Sequence, residues 1–125
     1  MTIPKEILDA YQKHSQEFGD AEAKFPYGTE PDNFGGLHLE VKSDGSMALV
    51  GTERGSETLR QETDSIDELM YWIFKSRANS RAFFRKQEKY DYKASQKIAL
   101  DEIGKISNQW RERLRQEQIG FHPKS

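Results

Sequence analysis

The chain has 125 residues, of which 34% are hydrophobic and 32% are charged, and its formal net charge is −2 at pH 7. A chain of this length forms one domain and buries about two-thirds of the surface that its unfolded form exposes. Its seven Phe, five Tyr and two Trp supply enough buried area to argue against disorder. We therefore expect residues 1–125 to form a single folded domain.

The composition also excludes several kinds of site. The sequence contains no cysteine, which rules out disulfides and thiolate metal sites. No apolar run approaches the ~20 residues that a membrane span needs. The first residues, Met-Thr-Ile-Pro-Lys-Glu, lack the basic and then apolar pattern of a secretory signal. We expect a cytoplasmic protein that does not associate with membranes.

The two halves of the chain carry opposite charge. Residues 1–68 hold 6 Lys and Arg against 15 Asp and Glu, a net of −9, whereas residues 69–125 hold 13 against 6, a net of +7. Such a chain either pairs its halves internally or presents faces of opposite sign to partners. Both alternatives remain open at this point.

An N-terminal amphipathic helix is predicted to follow Pro4 and to end near Phe18-Gly19, because Ile7, Leu8 and Tyr11 recur at helical spacing. Residues 19–36 contain four Gly and two Pro and are predicted to form a loop. The aromatic residues of this loop either pin it to the core or line a ligand pocket; they are Phe25, Tyr27 and Phe34.

A β-hairpin is predicted over residues 37–53, because apolar and polar residues alternate up to Asp44-Gly45, a dipeptide typical of tight turns. Residues 57–63 are predicted to form an edge strand whose charges discourage further pairing. A two-residue turn would leave Met47 and Leu49 on the outer face of the sheet. A bulge that slips the register by one residue would bury them instead.

The C-terminal half is predicted to be helical. Ser65 and Glu68 form a capping box in front of the most apolar segment of the chain, which predicts a helix over about residues 65–90. Further helices are predicted over about 92–105 and 107–118, the last capped by Ser107. The predicted fold is therefore α+β, with an N-terminal helix, a small antiparallel sheet of two to three strands and a helical C-terminal half.

Arg77 and Arg81 fall on the apolar side of the long predicted helix. Either the helix breaks at Asn79-Ser80 and restarts with a new face, or it continues to about Tyr90. In the second interpretation, which we favour, both arginines bind carboxylates of the acidic half of the chain.

The segment from Lys75 to Lys97 holds eight basic residues and two acidic ones, interleaved with aromatic residues. Such a segment can bind single-stranded nucleic acid, which gives an alternative basic site formed by Arg77, Arg81, Arg85, Lys86 and Lys89. The sequence pI near 5.9 and the expected burial of Phe83 and Phe84 disfavour nucleic acid as the partner.

No catalytic or metal-binding constellation is predicted. His14, His38 and His122 belong to separate segments, and none has a metal-ligand spacing. The sequence has neither a glycine-rich phosphate loop nor a Gly-x-Ser-x-Gly turn. We expect a binding protein that has no enzymatic activity, metal or cofactor.

Two segments carry a family resemblance. One reads Asp-Glu-Leu-Met-Tyr-Trp-Ile-Phe over residues 67–74, and the other reads Leu-Asp-Glu-Ile-Gly-Lys-Ile-Ser-Asn-Gln-Trp-Arg-Glu-Arg over residues 100–113, with His122-Pro123 near the C-terminus. Together they resemble the immunity protein 63 family of bacterial polymorphic toxin systems, over residues 36–123. The resemblance implies a cytoplasmic antidote that binds a cognate toxin domain, with no catalytic residue to carry over. We separately expect the chain to be a monomer or a weak homodimer.

Charge complementarity suggests where such a partner binds, because an acidic surface attracts a basic toxin. The candidates are the acidic residues around the predicted sheet, with two apolar residues as anchors. They are Glu40, Glu53, Glu57, Glu62 and Asp64, with Met47 and Leu49 as the anchors.

Overall fold

The computed structural model describes residues 3–32, 34–84 and 92–120. The elements are α1 (Lys5–Glu17), β1 (Phe34–Val41), β2 (Met47–Glu53), β3 (Ser56–Thr63), α2 (Ile66–Phe84), α3 (Tyr92–Gly104) and α4 (Asn108–Gly120). This order confirms the predicted α+β fold. The predicted end of the long helix near residue 90 lies outside the described residues.

The described residues form two compact units. One lies within Met1–Lys13 and Glu22–Met70 and contains the sheet, and the other lies within His14–Ala21 and Tyr71–Ser125 and contains α3 and α4.

The sheet is antiparallel with the strand order β1-β2-β3. The central strand β2 is buried from Met47 to Thr52, which is why its sequence is almost continuously apolar or small. Gly51 lies where the register shifts, and a Cβ there would come within 2.9 Å of the Thr58 hydroxyl. A larger residue would therefore require the neighbouring Thr58 side chain to move.

The hairpin turn contains three residues, which excludes the two-residue turn and leaves the alternative of a slipped register. The Gly45 amide donates to the Lys42 carbonyl over 3.0 Å, and the Lys42 amide donates to the Ser46 carbonyl over 2.8 Å. Gly45 has a φ of +90°, the left-handed conformation that a bulge at the end of a three-residue turn requires. The extra residue slips the register by one.

The slipped register buries both residues that the two-residue turn would have exposed. Leu49 lies opposite Leu39, and Met47 lies opposite Val41. Both side chains are buried, which confirms the second alternative for the hairpin.

The predicted serine caps are present, whereas the Ser65 amide donates to the Thr63 hydroxyl over 3.0 Å, in place of the Glu68 carboxylate that a capping box would use. The Ser65 hydroxyl accepts a hydrogen bond of 3.2 Å from the Glu68 amide, and the Ser107 hydroxyl accepts one of 3.1 Å from the Trp110 amide. Each serine satisfies an amide at the start of a helix that would otherwise lack a partner in the helix.

The loop after α1 joins the sheet unit through backbone and aromatic contacts. The Gly28 carbonyl accepts a hydrogen bond of 2.9 Å from the Leu39 amide. The Phe25 ring meets the Tyr11 ring edge to face at 5.4 Å and the Tyr27 ring at 5.8 Å. For Phe25 and Tyr27 these contacts favour the interpretation in which the loop is pinned.

Aromatic rings dominate the core of the second unit. The Phe74 ring lies 5.5 Å from the Phe18 ring and 6.4 Å from the Trp110 ring, and Tyr71 meets Trp110 at 5.8 Å. Offset and edge-to-face contacts of this kind add about 0.5–1.5 kcal/mol each to the free energy gained by burial. They explain how a chain with so few aliphatic residues forms a core.

Candidate binding surface

Two of the predicted site residues lie on one face of the sheet through their pairing with β2. Glu40 of β1 lies opposite Ala48 of β2, which in turn lies opposite Glu62 of β3. Since directly paired residues point to the same side of a sheet, both carboxylates lie on the face opposite Met47 and Leu49.

Arg60 joins these carboxylates and that of Glu57 into one network, which we call the carboxylate cluster. Its Nη2 donates to Oε2 of Glu40 over 2.8 Å. Its Nε donates to Oε2 of Glu57 over 3.1 Å, and its Nη2 also donates to Oε1 of Glu57. Nη1 lies 3.7 Å from Oε1 of Glu62. One guanidinium therefore orients three carboxylates.

The carboxylate cluster has a net negative charge. Lys42 provides a second cation, with its Nζ 3.6 Å from Oε2 of Glu62. Hydrogen bonding to Arg60 lowers the pKa of Glu57 and raises that of Arg60 itself. Three carboxylates thus face two cations, which leaves a net negative charge on this face of the sheet.

The remaining predicted site residues lie elsewhere. Glu53 ends β2 opposite Ser56, whereas Asp64 follows Thr63 at the other end of β3, so neither belongs to the carboxylate cluster. Met47 and Leu49 are buried, and their prediction as exposed anchors is wrong because the register is slipped by one residue.

Sequence reasoning missed Arg60 as the organising residue. It is the only cation of β3 and lies three residues after Glu57, which is a signal for a local ion pair. Its contact with Glu40 depends on the strand register, which the sequence left open between two alternatives. Only the correct register reveals the full cluster.

Two residues of the alternative basic site make ion pairs within the second unit. Nη2 of Arg77 lies 2.6 Å from Oδ2 of Asp20. Nη1 of Arg81 donates to the Phe18 carbonyl over 2.8 Å and to Oε2 of Glu102 over 3.1 Å. Both guanidinium groups also lie over the Phe18 ring, so they contribute to packing.

The structure therefore decides between the two interpretations of the long helix. α2 runs unbroken through Asn79 and Ser80, as the favoured interpretation required. Its carboxylate prediction is confirmed for Arg77, whereas Arg81 binds Glu102, which belongs to the basic half of the chain. The other three residues of the alternative site lie outside the described residues: Arg85, Lys86 and Lys89.

Phe83 and Phe84 are exposed, contrary to the prediction that both are buried. The buried stripe of α2 continues from Phe74 through Ala78 and Ala82, one residue every four. Two small residues thus occupy the inward positions, and the larger aromatic pair falls beside them.

The described residues form neither a metal site nor a membrane-spanning helix. Among residues 3–32, 34–84 and 92–120, no group of three or more His, Asp or Glu side chains is placed to hold a metal ion. No helix in the described part of the chain is long and apolar enough to cross a membrane.

Comparison with known proteins gives one match. The family model described as Immunity protein 63 matches residues 43–119, which extend from the hairpin turn to the last turn of α4. Searches of curated proteins and of solved structures gave no significant match.

Proposed function

The chain belongs to the immunity protein 63 family, and we propose that it neutralises a cognate bacterial toxin domain in the cytoplasm by binding and covering it. We assign toxin binding to the face of the sheet that carries the carboxylate cluster, and this cluster is the observation that supports the assignment. It gathers Glu40, Glu57 and Glu62 on one face of the sheet, in the half of the chain whose net charge is −9. The chain acts without turnover and needs neither metal nor cofactor.

Electrostatics favours a basic partner. A toxin domain that cleaves or modifies nucleic acid carries a positive surface for its substrate. A complementary acidic surface on the antidote accelerates association and discourages other partners. Binding at this positive surface would also block access of the substrate, which is how occlusion inhibits the toxin.

Arg60 prepares the carboxylates for binding. Its hydrogen bonds to Glu40 and Glu57 limit the side-chain conformations that would otherwise be lost on association. Incoming arginines or lysines then meet oriented acceptors, and charge-assisted hydrogen bonds to carboxylates are among the stronger polar contacts.

The surface assignment is tested by the affinity for the toxin domain encoded by the neighbouring gene. We expect replacement of Glu40, Glu57 and Glu62 by Gln to weaken binding at least about thirtyfold and to reduce its dependence on salt. The measurement is isothermal titration calorimetry at several salt concentrations, with circular dichroism to establish that each variant is folded.

A matched control separates local contacts from total charge. Glu6, Glu22 and Glu30 are exposed residues outside the sheet, and their triple replacement by Gln changes the net charge by the same amount. We expect this control to bind nearly as well as the parent. Equal losses in the two variants would contradict the assignment to the carboxylate cluster.

Occlusion also predicts a stoichiometry. Toxin activity should fall linearly with added protein and vanish at one equivalent. Complete inactivation by much less than one equivalent would contradict occlusion and indicate turnover.

A further inference from the structure

Strand β3 forms an open edge of the sheet. In the described part of the chain it pairs only with β2, and every residue from Ser56 to Glu62 is exposed. Within residues 3–32, 34–84 and 92–120, no segment other than β2 forms backbone hydrogen bonds with β3. An eight-residue edge of this kind can accept a further strand.

The open edge includes an apolar residue. Leu59 lies opposite Gly51 of β2, and 43% of its surface is exposed. It shares the face of the sheet that carries Leu39 and Leu49. A strand that pairs with β3 would place one of its own side chains beside Leu59, where cross-strand apolar contacts stabilise a sheet.

The charges of β3 discriminate between possible occupants. Its only cation, Arg60, is already bound by Glu57 and Glu40. The carboxylates of Glu57 and Glu62 therefore dominate the field at this edge. A second copy of β3 would add like charge to a region that already has a net negative charge, whereas a strand carrying Lys or Arg would be attracted.

On the premise of the proposed function, we propose that the toxin contributes an extended segment that pairs with β3 as a fourth strand. The backbone of this segment bonds to the outward amides and carbonyls of β3. Its basic side chains approach Glu57 and Glu62, and an apolar side chain contacts Leu59. Backbone pairing supplies affinity, and the side chains determine which toxin is recognised.

Amide exchange tests this mode directly. In an antiparallel sheet, alternate residues of an edge strand direct their amides away from the neighbouring strand, and such amides exchange rapidly. We expect the outward amides within residues 56–63 to exchange at least about tenfold more slowly when the neighbouring gene's toxin domain is bound. The measurement is residue-resolved hydrogen exchange by NMR on the full chain, free and in the complex.

The possible outcomes are distinct. A complex that leaves the outward amides unprotected would overturn strand pairing while the immunity function stands. Absence of any complex would overturn both proposals. Protection of these amides in the free protein that rises with its concentration would identify a second copy as the occupant and overturn the proposal.

A pair of leucine variants provides a second test. We expect Leu59→Gln to weaken toxin binding about tenfold. Leu8 of α1 has a similar exposure of 40%, so Leu8→Gln is the matched control and should bind like the parent. Equal affinities of the two variants would exclude Leu59 from the interface.

Discussion

Arg60 and Arg81 form similar ion pairs in different surroundings. Arg60 binds carboxylates that are a third to a half exposed, whereas the Glu102 side chain that meets Arg81 is only 1% exposed. Exposed pairs contribute little to stability because water competes for both charges. A buried carboxylate depends on its partners for the interactions that it lost with water. We therefore assign Arg81 to stability and Arg60 to the presentation of a charged surface.

This distinction predicts a loss of stability on changing Arg81. Replacement by Met removes hydrogen bonds to Glu102 and to the Phe18 carbonyl. Lys105 still lies 2.7 Å from Oε2 of Glu102, so we expect the free energy of unfolding to fall by about 2–3 kcal/mol rather than by the full value for a broken buried pair. Urea denaturation measures this change.

An exposed lysine provides the control for this prediction. Lys97 of α3 is exposed, and Lys97→Met should change the free energy of unfolding by less than about 0.5 kcal/mol. Similar effects of the two substitutions would contradict the structural role of Arg81.

Sequence reasoning at the residue scale depended on local spacing. The caps at Ser65 and Ser107 were predictable because the bonded groups lie three residues apart. The bond between Arg60 and Glu40 spans 20 residues, and the contact between Arg81 and Glu102 spans 21. Such contacts depend on strand register and helix packing, which no short pattern contains.

At the scale of elements, the hairpin turn has the largest consequence. Gly45 adopts a φ of +90°, and no atom lies within 4 Å of a Cβ built there. We expect Gly45→Ala to lower the free energy of unfolding by about 1–2 kcal/mol, because a side chain is strained in this conformation. The change is measured by thermal and urea denaturation.

The substitution Gly28→Ala is a control that tests whether the backbone conformation at Gly45 causes the loss of stability. A Cβ at Gly28 also meets nothing within 4 Å, but its φ is outside the positive range. We therefore expect Gly28→Ala to leave stability unchanged or slightly raised. Equal destabilisation by the two substitutions would show that φ at Gly45 is not the cause.

The positions of the helices and strands were more predictable than which of their side chains are buried. Periodicity and breakers placed all four helices and the three strands, because these signals are repeated along each segment. The register of the hairpin stayed open between two alternatives, because one extra residue in the turn changes which face every side chain of the strand occupies. The burial of Phe83 and Phe84 was wrong because Ala78 and Ala82 occupy the inward positions of α2.

At the scale of the whole molecule, several carboxyl groups have pKa values below their ordinary range. Hydrogen bonds from Arg115 and Gln116 lower the pKa of Glu112 to about 2. Hydrogen bonds from the side chain and the amide of Ser46 lower that of Asp44, and Arg60 lowers that of Glu57. These groups bind protons less readily in the folded chain than in the unfolded one.

The direction of these pKa changes predicts how stability depends on pH. Their contribution is fully present above the unfolded carboxyl pKa, about 4.5, because both states are then ionised. It is lost as the pH falls, since the unfolded chain takes up protons first. We expect the free energy of unfolding to decrease from about pH 4.5 to about pH 2, and Glu112→Gln to flatten part of this decline. Urea denaturation across this range would contradict the expectation if stability were constant or rose on acidification.

The opposite charges of the two halves of the chain have different surroundings. The arginines of α2 that were candidates for a basic site are bound within their own unit by Asp20 and Glu102. Around the sheet, acidic residues outnumber the cations that pair with them, so the −9 half keeps a net negative field, which under the proposed function attracts a basic toxin. Under the proposed function, the acidic residues around the sheet therefore guide association with the toxin.

The most direct test of the central claim is protection of living cells. The growth rate is measured in cells that express the neighbouring gene's toxin domain together with one of three proteins. These are the parent, the sheet variant, and the control variant. In the sheet variant Glu40, Glu57 and Glu62 are replaced by Gln, and in the control Glu6, Glu22 and Glu30 are replaced by Gln. We expect normal growth with the parent and the control, and loss of protection with the sheet variant at equal protein levels. Full protection by the sheet variant would contradict the role of the carboxylate cluster, and failure of the folded parent to protect would contradict the immunity function.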